Sequence, residues 1–280
     1  MNTLRLGVIG DPIAHTLSPM IHSKMAEHLN ISATYTADHV TKAGLGDFVK
    51  KAVFEKWAGF NVTIPHKNRI MDFCEELDPY AAKCGAVNTV RICDGRLIGY
   101  NTDGDGLYAS LKSNDIRVWD SDILLLGAGG AALSVCRKAL DAGAKKITVF
   151  CRTPEKAIRF QQDARVAVEN FSTLAQTKCA ENADLIINAT PLGMQGMDAD
   201  FTDVSFLDHT NAAVYDIVYK PEETKLLRES KNRGLRAFNG LGMLVYQAVY
   251  AFAIFSGETF DFDGMASYLL KEITKEIYNK

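Results

Sequence analysis

Apolar positions recur along the chain with two periods, and the switch between them marks the elements. Leu4–Ile9, Thr34–Thr36, Gly59–Ile64, Val87–Ile92 and Arg96–Tyr100 read as strands. Pro19–Leu29, Gly46–Phe54 and Asp103–Ser113 read as helices. Pro65 ends its strand because proline has no ladder donor. Asp94-Gly95 is a hairpin turn signal. A second alternation starts at Asp122, with strands at Ile123–Leu126, Lys146–Phe150, Asp184–Asn188 and Ala213–Val218. A helix runs from the glycine-rich turn after Leu126 to about Ala142, and another covers Lys225–Arg233, where Gly234 stops it. Strand–helix alternation of this kind predicts parallel sheets with helices on both faces, a doubly wound α/β fold. The two alternations meet near Asn101–Gly106. The most apolar stretch, Leu244–Phe255, contains Gln247 and is shorter than the roughly 20 residues a bilayer span needs. It predicts a buried helix.

Composition narrows the classes. The 280 residues are 47% hydrophobic and 23% charged, which suits one or two globular domains. A net charge of -3, without a basic stripe, speaks against nucleic acid as a partner. Cys74, Cys84, Cys93, Cys136, Cys151 and Cys179 are scattered without a Cys-x-x-Cys pair. Neither a disulfide framework nor a zinc site is expected, and no other His, Cys and carboxylate spacing suggests a metal. Met1–Gly10 runs directly into a strand pattern, so no signal peptide is expected and a reducing, cytoplasmic setting follows.

The first chemical signal is Gly127-Ala128-Gly129-Gly130-Ala131-Ala132, which fits G-x-G-x-x-A between a strand and a helix. Glycines there permit a tight turn and let backbone N–H groups approach a pyrophosphate at the helix N-terminus. A bare glycine match is weak, and the flanking elements strengthen it. At the end of the next strand, a carboxylate would accept bonds from the ribose 2′-hydroxyl of NAD. The chain instead has Cys151-Arg152-Thr153-Pro154-Glu155-Lys156. Arg152 offers a planar fork for a 2′-phosphate, Lys156 adds a point charge and Thr153 a hydroxyl, which favours NADP over a merely solvated basic loop.

A second signal lies in the first half. His15-Thr16-Leu17-Ser18-Pro19, Asn61-Val62-Thr63-Ile64-Pro65-His66-Lys67, Ala86-Val87-Asn88-Thr89 and Asn101-Thr102-Asp103-Gly104 are more polar than packing requires, and each sits at a strand end or before a helix. Sites in open α/β sheets form at such ends. Lys67 follows Pro65 and so belongs to the first turn of a helix, where a cation opposes the helix dipole. Acid–base work is one explanation, and an exposed lysine with a long stem is the other. Asp103 also fits an N-cap, Thr16 and Ser18 an ST-turn, and His15 and His66 ordinary loop positions. Gln247 is either a core amide bonded to backbone or a substrate contact.

Taken together and in this order, the segments resemble the shikimate dehydrogenase family. The pieces are Gly10–Pro19, NVTIPHK at 61–67, GAVNT at 85–89, GYNTDG at 99–104, GAGGA at 127–131, NATPLGM at 188–194 and GLGMLVYQA at 240–248, spanning nearly the whole chain. The resemblance implies a Rossmann-type nucleotide domain at 104–239 and a separate, discontinuous α/β substrate domain at 1–103 plus 240–280, with a cleft between them. It implies NADPH-dependent reduction of 3-dehydroshikimate to shikimate, a step of aromatic amino acid biosynthesis. Lys67 and Asp103 become the catalytic pair, with Lys67 moving the proton. Thr16 and Ser18 would bind the substrate carboxylate. Thr63, Lys67, Asn88, Asp103, Tyr219 and Gln247 would bind ring hydroxyls or complete the pocket. Gly127, Ala128, Gly129, Gly130 and Ala131 would line the cofactor, together with Cys151, Arg152, Thr153, Lys156, Ile217 and Gly240.

Two positions depart from the family pattern. Thr16 stands where serine is usual, adding a methyl near the carboxylate, and Cys151 where asparagine is usual, weakening one cofactor contact. The partner implied is a small-molecule substrate, without membrane or nucleic acid, in a monomer or homodimer. The competing readings are a quinate/shikimate dehydrogenase preferring NAD, and a non-catalytic shikimate-binding regulatory module. The absent acid after Phe150 argues against the first, and intact Lys67, Asp103 and glycine loop against the second.

Overall fold

Two six-stranded sheets organise the chain. The computed structural model describes residues 3–14, 16–176 and 179–278. The chain divides into one compact unit of residues 1–106 with 245–280, and another of residues 107–244; the expected divisions were 103/104 and 239/240.

The first unit begins β1 (Leu4–Gly10), α1 (Ser18–His28), β2 (Ala33–His39), α2 (Leu45–Phe54) and β3 (Gly59–Val62). It continues with β4 (Glu76–Leu77), α3 (Pro79–Cys84), β5 (Thr89–Cys93), β6 (Arg96–Tyr100) and the start of α4 (Asp103–Ser113). The sheet order is β2-β1-β3-β5-β6-β4. β1 pairs in parallel with β2 and β3, but β5 runs antiparallel to both β3 and β6. The sheet is therefore mixed and not parallel throughout, and the expected hairpin joins its antiparallel strands β5 and β6. Asp94 and Gly95 have φ of 51° and 79°, the positive values of a two-residue turn whose twist suits adjacent antiparallel strands. Phe48 packs edge-on against Phe60 and Trp57, with ring centroids 5.1 and 5.5 Å apart. All three are buried in one cluster with Ile9, Val62 and Val90.

The second unit holds β7 (Asp122–Leu126), α5 (Gly130–Asp141), β8 (Lys146–Cys151), β9 (Val166–Asn170), β10 (Leu185–Asn188), β11 (Ala213–Asp216), α6 (Lys225–Asn232) and β12 (Ala237–Phe238). α7 (Leu241–Ser256) begins in it and continues into the first unit, which also contains α8 (Phe262–Tyr278). The sheet order β12-β11-β10-β7-β8-β9 is parallel throughout. Both faces are covered. Ile123, Leu125, Ile147 and Val149 join one buried cluster, and Leu124, Leu126, Phe150 and Ile186 another. That alternation explains the continuous apolar runs. Strand order reverses direction between β7 and β10, so the loops after them flank a topological switch point, where open α/β sheets bind ligands.

No helix among the described residues is long and apolar enough to cross a membrane. The six cysteines are free thiols. No group of three or more His, Cys, Asp or Glu residues is arranged to hold a metal among the described residues.

Candidate active site

Lys67 does not begin a helix. It lies in a turn before a short 3₁₀ segment, Arg69–Phe73. The turn is tied by His66 N–H to Thr63 C=O at 2.9 Å, and by Val87 N–H to the Lys67 carbonyl at 2.8 Å. One α-turn closes here, Ile70 N–H to His66 C=O at 2.9 Å, but only the short 3₁₀ segment follows it, so no α-helix stands behind Lys67 to supply the expected field. Its neighbour is Asp103 instead. Lys67 Nζ donates to Asp103 Oδ2 at 2.6 Å, with the two side chains 19% and 8% exposed. Next to it, His66 is buried and its Nε2 lies 2.6 Å from the Val40 carbonyl, an ordinary structural histidine. His15 lies outside the described residues.

Asp103 is the first residue of α4, where a carboxylate suits the helix dipole. It is not the N-cap: Thr102 C=O already accepts from Gly106 N–H at 2.9 Å. Its side chain serves Lys67 through Oδ2 and accepts Asn88 Nδ2 at Oδ1, 2.8 Å away. Asn88 is almost fully used. Its Nδ2 also donates to Thr102 Oγ1 at 2.9 Å, and its Oδ1 accepts from Thr102 N–H at 2.8 Å and Thr89 Oγ1 at 3.0 Å. A satisfied buried network of this kind fixes side-chain geometry. Asn88, Lys67 and Asp103 are thus brought together.

Thr16 and Ser18 form the expected ST-turn at the start of α1. Ser18 N–H donates to Thr16 Oγ1 at 3.2 Å, and the two hydroxyls are 3.1 Å apart. Thr63 follows β3, half-buried, its N–H bonded to the Ile9 carbonyl at 2.9 Å. Gln247, expected to be buried, is half-buried on α7. Gly106 lets α4 approach it, since a Cβ there would sit 2.7 Å from the Gln247 Cβ. Tyr219 is half-buried in the other unit.

In that second unit the glycine loop joins β7 to α5. Gly127 has φ of +106°, and a Cβ on it would come within 2.9 Å of the Ala189 carbonyl. Gly129 and Gly130 differ: nothing lies within 4 Å of a Cβ placed on either. α5 has no side-chain cap and no acidic residue in its first turn. Its leading N–H groups and open approach, flanked by half-buried Ala128 and Ala131, fit a diphosphate. Cys151 ends β8 and is buried, and burial raises its thiol pKa. Arg152 and Lys156 are exposed, Thr153 is half-buried, and neither cationic side chain makes an ion pair among the described residues. Ile217 and Gly240 touch: a Cβ on Gly240 would overlap the Ile217 carbonyl.

Sequence reasoning missed a buried polar cluster beside this loop. Asp216 ends β11 fully buried and accepts Asn188 Nδ2 at 2.8 Å, Val218 N–H at 3.0 Å and Thr224 Oγ1 at 2.7 Å. Burial drives its pKa up to about 6 against the pull of those bonds. Asn188 Oδ1 in turn holds Thr190 through N–H at 3.0 Å and Oγ1 at 2.6 Å, shaping the loop after β10. The available signal was a polar residue closing each of two apolar strands.

Residues 8–90 match the shikimate dehydrogenase substrate binding domain, residues 110–194 the shikimate/quinate 5-dehydrogenase model, and residues 240–267 the shikimate 5′-dehydrogenase C-terminal domain. The chain is 40% identical over 271 residues to the shikimate dehydrogenase (NADP(+)) of Bacillus cereus, covering 95% of this chain and 98% of that protein. It is similar in structure to a chorismate mutase/shikimate 5-dehydrogenase fusion protein from Clostridium acetobutylicum, with a TM-score of 0.90, 31% identity and 99% of each chain covered. It is also similar to the shikimate 5-dehydrogenase of Thermus thermophilus in complex with NADP(H) and shikimate, with a TM-score of 0.85, 32% identity, and 96% of this chain and 99% of that one covered. With this identity sustained over nearly its full length, the chain belongs to the shikimate dehydrogenase family of oxidoreductases.

Proposed function

We propose that this chain catalyses the reversible, NADPH-dependent reduction of 3-dehydroshikimate to shikimate, with Lys67 and Asp103 as its acid–base pair. The observation that carries the reading is the 2.6 Å contact between Lys67 Nζ and Asp103 Oδ2, held by Asn88 within a satisfied polar network. NADPH, when bound, supplies the hydride that the ketone carbon receives. Lys67 gives the proton that the developing alkoxide needs, and takes it back in the oxidation direction. Asp103 keeps the ammonium in place and offsets its charge. Thr16 and Ser18 present hydroxyls to the substrate carboxylate. Thr63, Asn88, Tyr219 and Gln247 read the ring hydroxyls, and a site built for hydroxyls rejects analogues that lack them.

Gly127, Ala128, Gly129, Gly130 and Ala131 would hold the diphosphate, with Ile217 and Gly240 completing that wall. Cys151, Arg152, Thr153 and Lys156 would surround the adenosine ribose, and Arg152 would pair with its 2′-phosphate. In this reading residues 1–103 with 240–280 serve the substrate, and residues 104–239 serve the nucleotide. A reducing, cytoplasmic location agrees with the six free thiols, and the working form is a monomer or homodimer.

The test is a spectrophotometric assay of shikimate and quinate, each with NADP+ and NAD+. Reduced nicotinamide should accumulate fastest with shikimate and NADP+. Faster turnover of quinate with NAD+ overturns the substrate and cofactor assignments, and no turnover in any combination makes the chain a binding module.

A further inference from the structure

Arg137 lies on α5 and is 7% exposed. Taking a guanidinium out of water is costly, and a carboxylate beside it ordinarily offsets the cost. Arg137 forms no ion pair among the described residues, because both oxygens of nearby Asp163 accept from Arg165, at 2.8 and 3.0 Å. Its donors serve neutral groups instead. Nη2 donates to the Arg159 carbonyl at 2.8 Å and to Gln162 Oε1, and Nε has no partner among the described residues. Both bonds of the side chain therefore end on one short segment, residues 159–162.

That segment continues the loop that leaves β8. Lys156 N–H donates to the Thr153 carbonyl at 3.0 Å, Ala157 to Pro154 at 2.9 Å, Phe160 to Ala157 at 2.9 Å and Gln161 to Ile158 at 3.1 Å. These are tight 3₁₀-type turns, whose bond geometry is poorer than that of an α-helix, so the segment needs outside support. Ala157 and Phe160 supply part of it, buried in one cluster with Leu133, Cys136 and Leu140 of α5. Arg137 adds the polar tie, and Arg165 a second one, from Nη1 to the Leu140 and Ala144 carbonyls at 3.2 and 3.3 Å. At the front of the run stand Arg152, Thr153 and Lys156. At the front of α5 stands the glycine loop.

We infer that Arg137 is a positioning residue for cofactor choice, whose guanidinium fastens the Arg152–Lys156 loop to α5. The inference rests on the proposed assignment of the glycine loop to the diphosphate and of Arg152, Thr153 and Lys156 to the 2′-phosphate. With the loop tied to the same helix that begins at the diphosphate turn, the groups that read the 2′-phosphate are in place before the nucleotide arrives. Groups ordered in advance cost nothing to order on binding, which raises affinity. NAD+ has no 2′-phosphate and gains little from that order. Arg137 thus acts on the nucleotide through Arg152 and Lys156.

The experiment measures steady-state kinetics with NADP+ and NAD+ at a temperature where calorimetry shows each variant folded. Arg137→Met keeps the apolar stem and removes the fork. Its KM for NADP+ should rise roughly tenfold, comparable to the loss of one charge-assisted hydrogen bond, while KM for NAD+ stays within about twofold. Turnover at saturating NADP+ and KM for shikimate should not change. A general loosening of the unit would weaken both nucleotides alike. Gln162 is exposed, so Gln162→Ala spares the core. It should raise KM for NADP+ alone, by a few-fold, and the double variant should lose no more than Arg137→Met. An unchanged NADP+/NAD+ preference in Arg137→Met, an equal loss with both nucleotides, or effects that add in the double variant overturns the inference. Should Arg137→Met fail to fold, Gln162→Ala decides: a raised KM for NADP+ alone supports the tie, and unchanged kinetics overturn it. Arg152→Ala separates the two layers. An unchanged KM for NADP+ in that variant sinks the 2′-phosphate reading, whereas a raised one beside a neutral Arg137→Met sinks the positioning role alone.

Discussion

Lys67 donates to one carboxylate, is less than one-fifth exposed and has no helix behind it. Its value is therefore chemical more than structural. Lys67→Ala should reduce kcat by about 10²- to 10⁴-fold, the usual worth of a positioned acid–base group, and leave shikimate affinity within a few-fold by calorimetry. Near-normal turnover would remove Lys67 from the reaction. Arg152 is the complementary case, exposed and without an ion pair among the described residues. Losing a charge-assisted fork on a phosphate corresponds to about 1.5–3 kcal/mol, so Arg152→Ala should raise KM for NADP+ about 10- to 100-fold and leave NAD+ kinetics unchanged. Equal changes with both nucleotides would mean that Arg152 does not read the 2′-phosphate. Residue identities such as these were readable in the sequence, because each is an unusual choice for its place. Their partners were not: Lys67 and Asp103 are 36 residues apart.

At the level of elements, the sequence revealed the strands of the second unit that are buried on both faces and missed that unit's two edge strands, β9 and β12. β7, β8, β10 and β11 are near-continuous apolar runs and were all anticipated. β9, Val166–Asn170, was not, since its pattern descends from buried to exposed along an edge. The turn at Lys67 reads as a helix start because of Pro65, whereas the chain goes on only into the short 3₁₀ segment Arg69–Phe73. Glycines make the same point in reverse, because their identical letters hide opposite needs. Gly240 has the Ile217 backbone against it, and Gly130 faces open space. Gly240→Ala should lower the melting temperature sharply, as overpacking against backbone commonly costs about 1–3 kcal/mol. Gly130→Ala should melt like the parent protein yet show a raised KM for NADP+, since the added methyl occupies the approach to the first turn of α5. Calorimetry and steady-state kinetics on both variants check the contrast. Normal nucleotide kinetics in Gly130→Ala would detach the loop from the cofactor.

For the whole molecule, the two units carry buried titratable groups of opposite sense. His22, in the first unit, is lowered from 6.5 to about 3 by burial. The unfolded chain binds the extra proton between those values, so the stability tied to neutral His22 is complete above 6.5 and is lost as the pH falls toward 3. Asp216, in the second unit, is raised from 3.8 to about 6, again chiefly by burial. There the folded state holds the extra proton. Stability is complete below 3.8 and is lost as the pH rises through 6. A tenfold difference in proton affinity between folded and unfolded chain corresponds to about 1.4 kcal/mol, so each group contributes a few kcal/mol across its window. Between about pH 5 and 7.5 the two therefore oppose each other. His22→Phe keeps an aromatic ring stacked on Tyr35 and removes the ionisation, so its melting temperature should rise less than that of the parent on going from about pH 5 to 7.5. Asp216→Asn removes the other ionisation, and the same step in pH should raise its melting temperature more than the parent's. Scanning calorimetry at the two pH values measures both slopes while every other titrating group stays common to the three proteins. A slope unchanged in either variant would show that its buried group titrates alike in the folded and unfolded chain.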